Sequence, residues 1–327
     1  MHTSDDVPGR CATSHATRGI LLASTLVLAS CTARLVRQAE ADYPRLGEIV
    51  HAEGLALHYV ERGSGPPVLL LHGAFGGVQD FTSTIVPELA TRARAIAFDR
   101  PGHGYSDRPK HIVATPDVQA RIVHEAVRTL GIDRPVVVGF SWGGAVALAY
   151  ALAYPDDVAA VVTINAPVRA WSGAIDPFYY VPEIVFLGDL FVSQLVMPLG
   201  LWRRESAVER AFAPRPVPAT FAQSPIALAL RPQSFRANAE DVRVLKGFLA
   251  RQSSRYEELA PPLVIVVSQR DQIVDPRHHA EFLHAHVAGS EIVRVPDAGH
   301  PLLYTHPEVV LRAIDRALEL AAERTRP

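Results

Sequence analysis

Residues 139–143 read Gly-Phe-Ser-Trp-Gly, with another glycine at 144. A serine hydroxyl is a weak nucleophile unless a base takes its proton and fixed amides hold the charge that develops on the substrate. The setting of Ser141 provides for both. It follows an apolar run, 135–138, that reads as a buried strand. It precedes an Ala- and Leu-rich stretch, 142–154, that reads as a helix stopped before Pro155. Gly139 and Gly143 leave room where side chains would clash in so tight a turn. Ser141 would then stand above a strand end, at the positive end of a helix dipole.

One oxyanion-holding amide is expected from Trp142, the residue after the nucleophile. The second is expected from the loop His72-Gly73-Ala74-Phe75-Gly76-Gly77, with Ala74 as donor. His72 reads as a structural residue of that loop. The base must lie beyond the serine at a strand end, because such a serine is followed in the chain by its acid and then its histidine. His300, in Asp297-Ala298-Gly299-His300 after the run ending at Val295, meets both conditions. His103 precedes the serine. His278, His279, His284 and His286 read as surface residues of a polar helix. Two carboxylates follow the strand 263–267. Asp271, in the turn 268–271, reads as the acid that orients His300. Asp275, followed by Pro276, reads as a helix N-cap.

Positioning these residues takes a scaffold of alternating strands and helices. Apolar runs at 68–71, 93–98, 136–138, 158–164, 263–267 and 292–295 read as strands, with 55–61 alternating like a half-exposed one. Helices are expected at 116–130, at 142–154 and from about 308. This βαβ alternation predicts a mostly parallel, twisted sheet flanked by helices. The strand signal disappears from 167 to 232, a stretch that holds nine prolines and nine aromatic residues. A helical cap is expected at 167–234, inserted into a core of 47–166 and 235–327, its aromatics forming apolar walls to a pocket.

Bulk composition excludes other classes. A formal net charge of −2 gives nucleic acid no basic surface to bind. The two cysteines, Cys11 and Cys31, lie near the N-terminus, so the body has no cysteine metal site or disulfide framework. Arg10 and Arg18 precede an apolar run, 19–30, that is too short to span a bilayer and has the flanks of a signal peptide. The sequence Leu28-Ala29-Ser30-Cys31 resembles the bacterial lipobox. That resemblance implies a signal at 1–30, lipidation of Cys31, a tether at 31–46 and an exported, membrane-anchored protein.

The segments L-L-L-H-G-A-F-G-G, F-D-R-P-G-H-G-Y-S-D-R-P, G-F-S-W-G-G, V-S-Q-R-D-Q-I-V-D-P and A-G-H occur in order between about residues 68 and 300. Together they resemble the capped, single-domain α/β-hydrolase fold family. That family includes esterases, carbon–carbon bond hydrolases, proline iminopeptidases, epoxide hydrolases, haloalkane dehalogenases and cofactor-free haloperoxidases. The resemblance implies an α/β-hydrolase fold with a Ser141–His300–Asp271 triad, needing no metal or organic cofactor. Epoxide hydrolases and dehalogenases of this type use an aspartate nucleophile, so Ser141 argues against both chemistries. Ser268 stands where the family usually has glycine. A lipid-anchored carboxylesterase acting on a small molecule with an apolar acyl or aromatic group is expected. The alternatives are carbon–carbon hydrolysis, peptide release or perhydrolysis on the same triad, and a non-catalytic binding lipoprotein.

Overall fold

The computed structural model describes residues 11–109 and 112–325, with side chains of the first helix described from residue 27. Arg10, one flank of the expected export signal, lies outside them. Eight strands form one sheet in the order β1-β2-β4-β3-β5-β6-β7-β8. They are β1 (Glu48–Ala52), β2 (Leu55–Arg62), β3 (Pro67–Leu71), β4 (Arg94–Phe98), β5 (Val136–Phe140), β6 (Ala160–Ile164), β7 (Leu263–Ser268) and β8 (Glu291–Val295). β1 and β2 pair antiparallel, as do β2 and β4, and every other pairing is parallel.

The parallel strands are buried on both faces. Leu69, Leu71 and Val137 enter one apolar cluster, and Val68, Leu70, Val136 and Val138 enter the other. This follows from the two-residue side-chain period of a strand covered by helices on each side. The chain leaves β3 toward β4 on one side, while β5 lies on the other. The loops after β3 and β5 therefore diverge and open a crevice at the strands' C-terminal ends, the usual ligand position in such sheets.

β1 was not expected from sequence. It is a short edge strand joined to β2 by a turn in which Glu53 and Gly54 both have positive φ. That is the backbone of a two-residue hairpin, but its residues lack the usual Asn-Gly signature.

Helices occupy most of the stretch between β6 and β7, at Leu187–Gln194, Val196–Phe212 and Ile226–Ala229. The helix Pro232–Gln252 carries the chain back toward the sheet. The segment expected as a tether departs from that expectation. Residues Cys11–Asp42 form one helix. Leu35, Val36, Ala39 and the following Tyr43 pack into a cluster with Val192, Val196, Met197 and Phe235. Spacings of one, three and four residues put 35, 36 and 39 on one helix face, which explains why the segment docks rather than swings free.

Candidate active site

Ser141 adopts φ 50°, ψ −122°, a strained conformation for a residue with a side chain. Its amide donates to Ile164 O at 2.8 Å and its carbonyl accepts from Gly144 N at 2.8 Å. The flanking glycines are obligatory. A Cβ on Gly139 would lie 2.4 Å from Gly143 O, and one on Gly143 would lie 2.1 Å from Leu71 O. The turn thus locks against the sheet, and the helix Trp142–Ala153 begins directly after the serine.

The structure brings the three expected residues together. Ser141 Oγ and His300 Nε2 are 2.9 Å apart, and His300 Nδ1 lies 2.6 Å from Asp271 Oδ2. An ionised carboxylate can only accept, so the imidazole carries its proton on Nδ1 and leaves Nε2 free to receive the serine proton. The other Asp271 oxygen, Oδ1, accepts from the Ile273 and Val274 amides at 2.7 and 2.9 Å. Asp275 stands apart from this relay. Its Oδ1 accepts from His278 N at 2.7 Å and caps the turn that leads into the helix Ala280–His286. Among the four histidines read as surface residues, His279 is buried instead. Its Nδ1 accepts from Val168 N at 3.2 Å, and burial lowers its pKa to about 4.

The loop after β3 lies directly against Ser141, where a Cβ on Gly73 would sit 3.0 Å from Ser141 Cβ. His72 has the structural place expected of it. Its Nδ1 donates to Gly73 O at 2.8 Å and its Nε2 accepts from Arg100 N at 3.0 Å. Burial, followed by the charge of Arg100, holds its pKa well below the usual imidazole range. Phe75, three residues after His72, has positive φ and donates its amide to Asn238 Oδ1 at 2.8 Å. Ala74 is thereby held between a residue pressed on Ser141 and a residue tied to the helix Pro232–Gln252.

That helix supports the site in ways the sequence did not reveal. Arg100 is fully buried and donates to His72 O at 2.8 Å, Gly73 O at 3.1 Å, Gln119 Oε1 at 2.8 Å and Asp241 Oδ2 at 2.7 Å. Its guanidinium covers the Trp142 ring at 4.3 Å from the centroid. The Trp142 indole N–H in turn donates to Asp241 O at 3.2 Å. Both segments expected to supply oxyanion amides are therefore braced by one buried charge network. A buried Arg is stable only with its partners in place, so this network fixes geometry rather than adding much net stability.

Asn165, at the end of β6, plays a similar part for the relay. Its Nδ2 donates to His300 O at 2.7 Å and to Ser268 Oγ at 3.0 Å, and its Oδ1 accepts from Ser268 N at 2.7 Å. The hydroxyl of Ser268 thus has a use at a position where the family usually has glycine. Neither Asn165, Asn238 nor Asp241 belongs to a motif, so only their contacts identify them.

A family model described as the alpha/beta hydrolase fold matches residues 66–307. The chain belongs to that family. The hydrolase is 30% identical over 273 residues to haloalkane dehalogenase 2 of Mycobacterium tuberculosis, covering 79% of this chain and 90% of the relative. Its fold resembles that of a thermophilic esterase from Thermogutta terrifontis, with a TM-score of 0.64 and 24% identity, across 84% of this chain and 98% of the esterase. A bacterial membrane phospholipase A has the same TM-score of 0.64 at 20% identity, across 97% of this chain and 99% of the phospholipase.

Proposed function

We propose that this hydrolase cleaves carboxylic esters through an acyl-enzyme on Ser141. The observation that carries the reading is the continuous relay, 2.9 Å from Ser141 Oγ to His300 Nε2 and 2.6 Å from His300 Nδ1 to Asp271. His300 takes the Oγ proton as Oγ bonds to the ester carbonyl carbon. The resulting oxyanion receives the amides of Ala74 and Trp142. Collapse expels the alkoxide, which leaves with the proton from His300. Water, deprotonated by the same nitrogen, then releases the acid and restores the serine.

The kinship to a haloalkane dehalogenase does not carry over its chemistry. Attack of a serine on a haloalkane would leave an ether, which has no carbonyl for water to attack. An ester or related acyl group leaves an intermediate that the same relay can resolve.

The test is Ser141→Ala. Hydrolysis of p-nitrophenyl esters and covalent labelling by a fluorophosphonate should both vanish, while the far-UV spectrum stays unchanged. Normal turnover in that variant would refute the assignment.

A further inference from the structure

The cap carries an apolar surface that the catalytic reading does not use. Phe186 is 86% exposed, Trp202 78% and Val185 75%, and Leu187, Leu190 and Leu199 are also exposed. Leu187 and Leu190 are three residues apart on the helix Leu187–Gln194, and Leu199 and Trp202 are three apart on Val196–Phe212. Each pair therefore shares one helix face. Single exposed apolar residues are ordinary, but a group that includes three consecutive large ones and a tryptophan marks a docking surface.

Its position indicates the occupant. The same two cap helices bind the first helix. Thr32 Oγ1 donates to Gln194 O at 3.0 Å, and Leu35, Val36 and Leu201 pack against one buried cluster of the cap. Leu201 is the neighbour of Trp202. N-terminal to Thr32, Val27, Leu28 and Cys31 are exposed, and in sequence the helix carries the apolar run 19–30. Among the described residues no helix is long and apolar enough to cross a membrane. Exposed Arg34 and Arg37 on the first helix, and Arg203 and Arg204 beside Trp202, supply cations next to this apolar surface. Apolar residues with an interfacial tryptophan and flanking arginines are what an amphipathic surface lying in an anionic lipid headgroup layer requires.

We propose that this face of the cap docks on a lipid bilayer. Its interior side then faces the site. Phe178, partly exposed, meets Phe191 and Phe235 at centroid distances of 5.5 Å, and Phe235 meets Phe75 at 6.4 Å. Phe75 adjoins Ala74, so a chain of ring contacts runs from the exposed Phe178 of the cap to the loop against Ser141. An acyl chain drawn from the bilayer would move along these rings with little return to water. The substrate class that follows is a membrane-borne ester with a long acyl chain. This part rests on the ester reading above, whereas the docking does not.

Trp202 is a built-in reporter, because the other two tryptophans are Trp142, which is buried, and Trp171, which is half-buried. The full-length protein is reconstituted into vesicles of phosphatidylcholine with a minority of phosphatidylglycerol. Phosphatidylcholine brominated on its acyl chains should quench part of the emission, and Trp202→Phe should abolish that part. The pair Val185→Asp with Phe186→Asp should reduce both the quenching and the hydrolysis of a vesicle-borne long-chain ester several-fold. Hydrolysis of a dissolved short-chain ester should not change in that variant. Trp202 left as open to aqueous acrylamide in vesicles as in detergent, and unquenched by the brominated lipid, would overturn the docking. So would a lipid-free dimer that shields Trp202. Intact quenching with no hydrolysis of either ester would uphold the docking and overturn the ester reading.

Discussion

Exchanging one oxygen for nitrogen at residue 271 tests the relay more sharply than deleting any of its members. In Asp271→Asn the carboxamide oxygen can keep the Ile273 and Val274 amides, now at 2.7 and 2.9 Å from Oδ1. The amide nitrogen then faces His300 Nδ1, 2.6 Å away in the parent. Because that nitrogen donates, Nδ1 must accept, and the ring proton moves to Nε2. Nε2–H then points at Ser141 Oγ and cannot receive its proton. Turnover should fall about 10⁴-fold, the effect of the same tautomer error in a serine protease. That is roughly 5.5 kcal/mol of transition-state stabilisation. Stability should change by less than about 1 kcal/mol, since the two backbone bonds remain. Asp275→Ala is the matched control, because its carboxylate accepts from the His278 amide and makes no hydrogen bond with the relay among the described residues. It should cost roughly 1 kcal/mol of stability, as an N-cap does, and leave turnover nearly intact. Steady-state rates on a p-nitrophenyl ester, normalised to fluorophosphonate-reactive sites, and thermal melts followed by circular dichroism measure both quantities. A variant pair with these phenotypes exchanged would show that the wrong carboxylate has been placed in the relay.

Three further outcomes are expected. Gly143→Ala should yield little soluble protein, because its Cβ would meet the Leu71 and His72 carbonyl oxygens at 2.1 and 2.6 Å and neither backbone can retreat. Recovery of folded, labelled enzyme would contradict this. Asn238→Ala should free the Phe75 amide, lowering kcat about tenfold with little change in KM and costing about 1 kcal/mol for a half-buried amide that loses its partner; a KM effect alone would count against a role in bracing the loop. Burial lifts the Asp80 carboxyl from 3.8 to about 6. The folded state thus holds this proton more tightly than the unfolded chain. The stabilisation is complete below pH of about 4 and is lost as pH rises through about 6, amounting to about 3 kcal/mol. Urea titrations across this range should show the decline in the parent and a flatter profile in Asp80→Asn; identical profiles would reject the linkage.

The site and its scaffold were legible to different extents, for physical reasons. Buried parallel strands announce themselves as apolar runs, so β3, β5, β6, β7 and β8 were each visible to within about two residues. The tight turn at Ser141 needs glycine on both sides, which leaves a local signature. The loops bearing Asp271 and His300 were visible because each follows a strong strand. The edge strand β1 was not visible, since it is short and its turn uses Glu53-Gly54. The cap aromatics were expected to wall a pocket. Phe212 is buried against Phe221 and Tyr304 near His300, but Phe186 and Trp202 point outward, and helical spacing alone did not separate the two groups.

Local sequence determined which serine stands in the tight strand-to-helix turn and which strands end beside it, because glycine requirements, strand periodicity and chain order act over a few neighbouring residues. Long-range packing decided the rest. Arg100 meets Asp241, Asn238 meets Phe75, and Asn165 meets both Ser268 and the His300 carbonyl across separations of 141, 163, 103 and 135 residues. The C-terminal part of the first helix, expected as part of a tether, docks on the cap because Leu35, Val36 and Ala39 find apolar partners more than 150 residues away in Val192, Val196 and Met197. No local pattern encodes those meetings, since each is set by how the return helix and the cap close over the sheet.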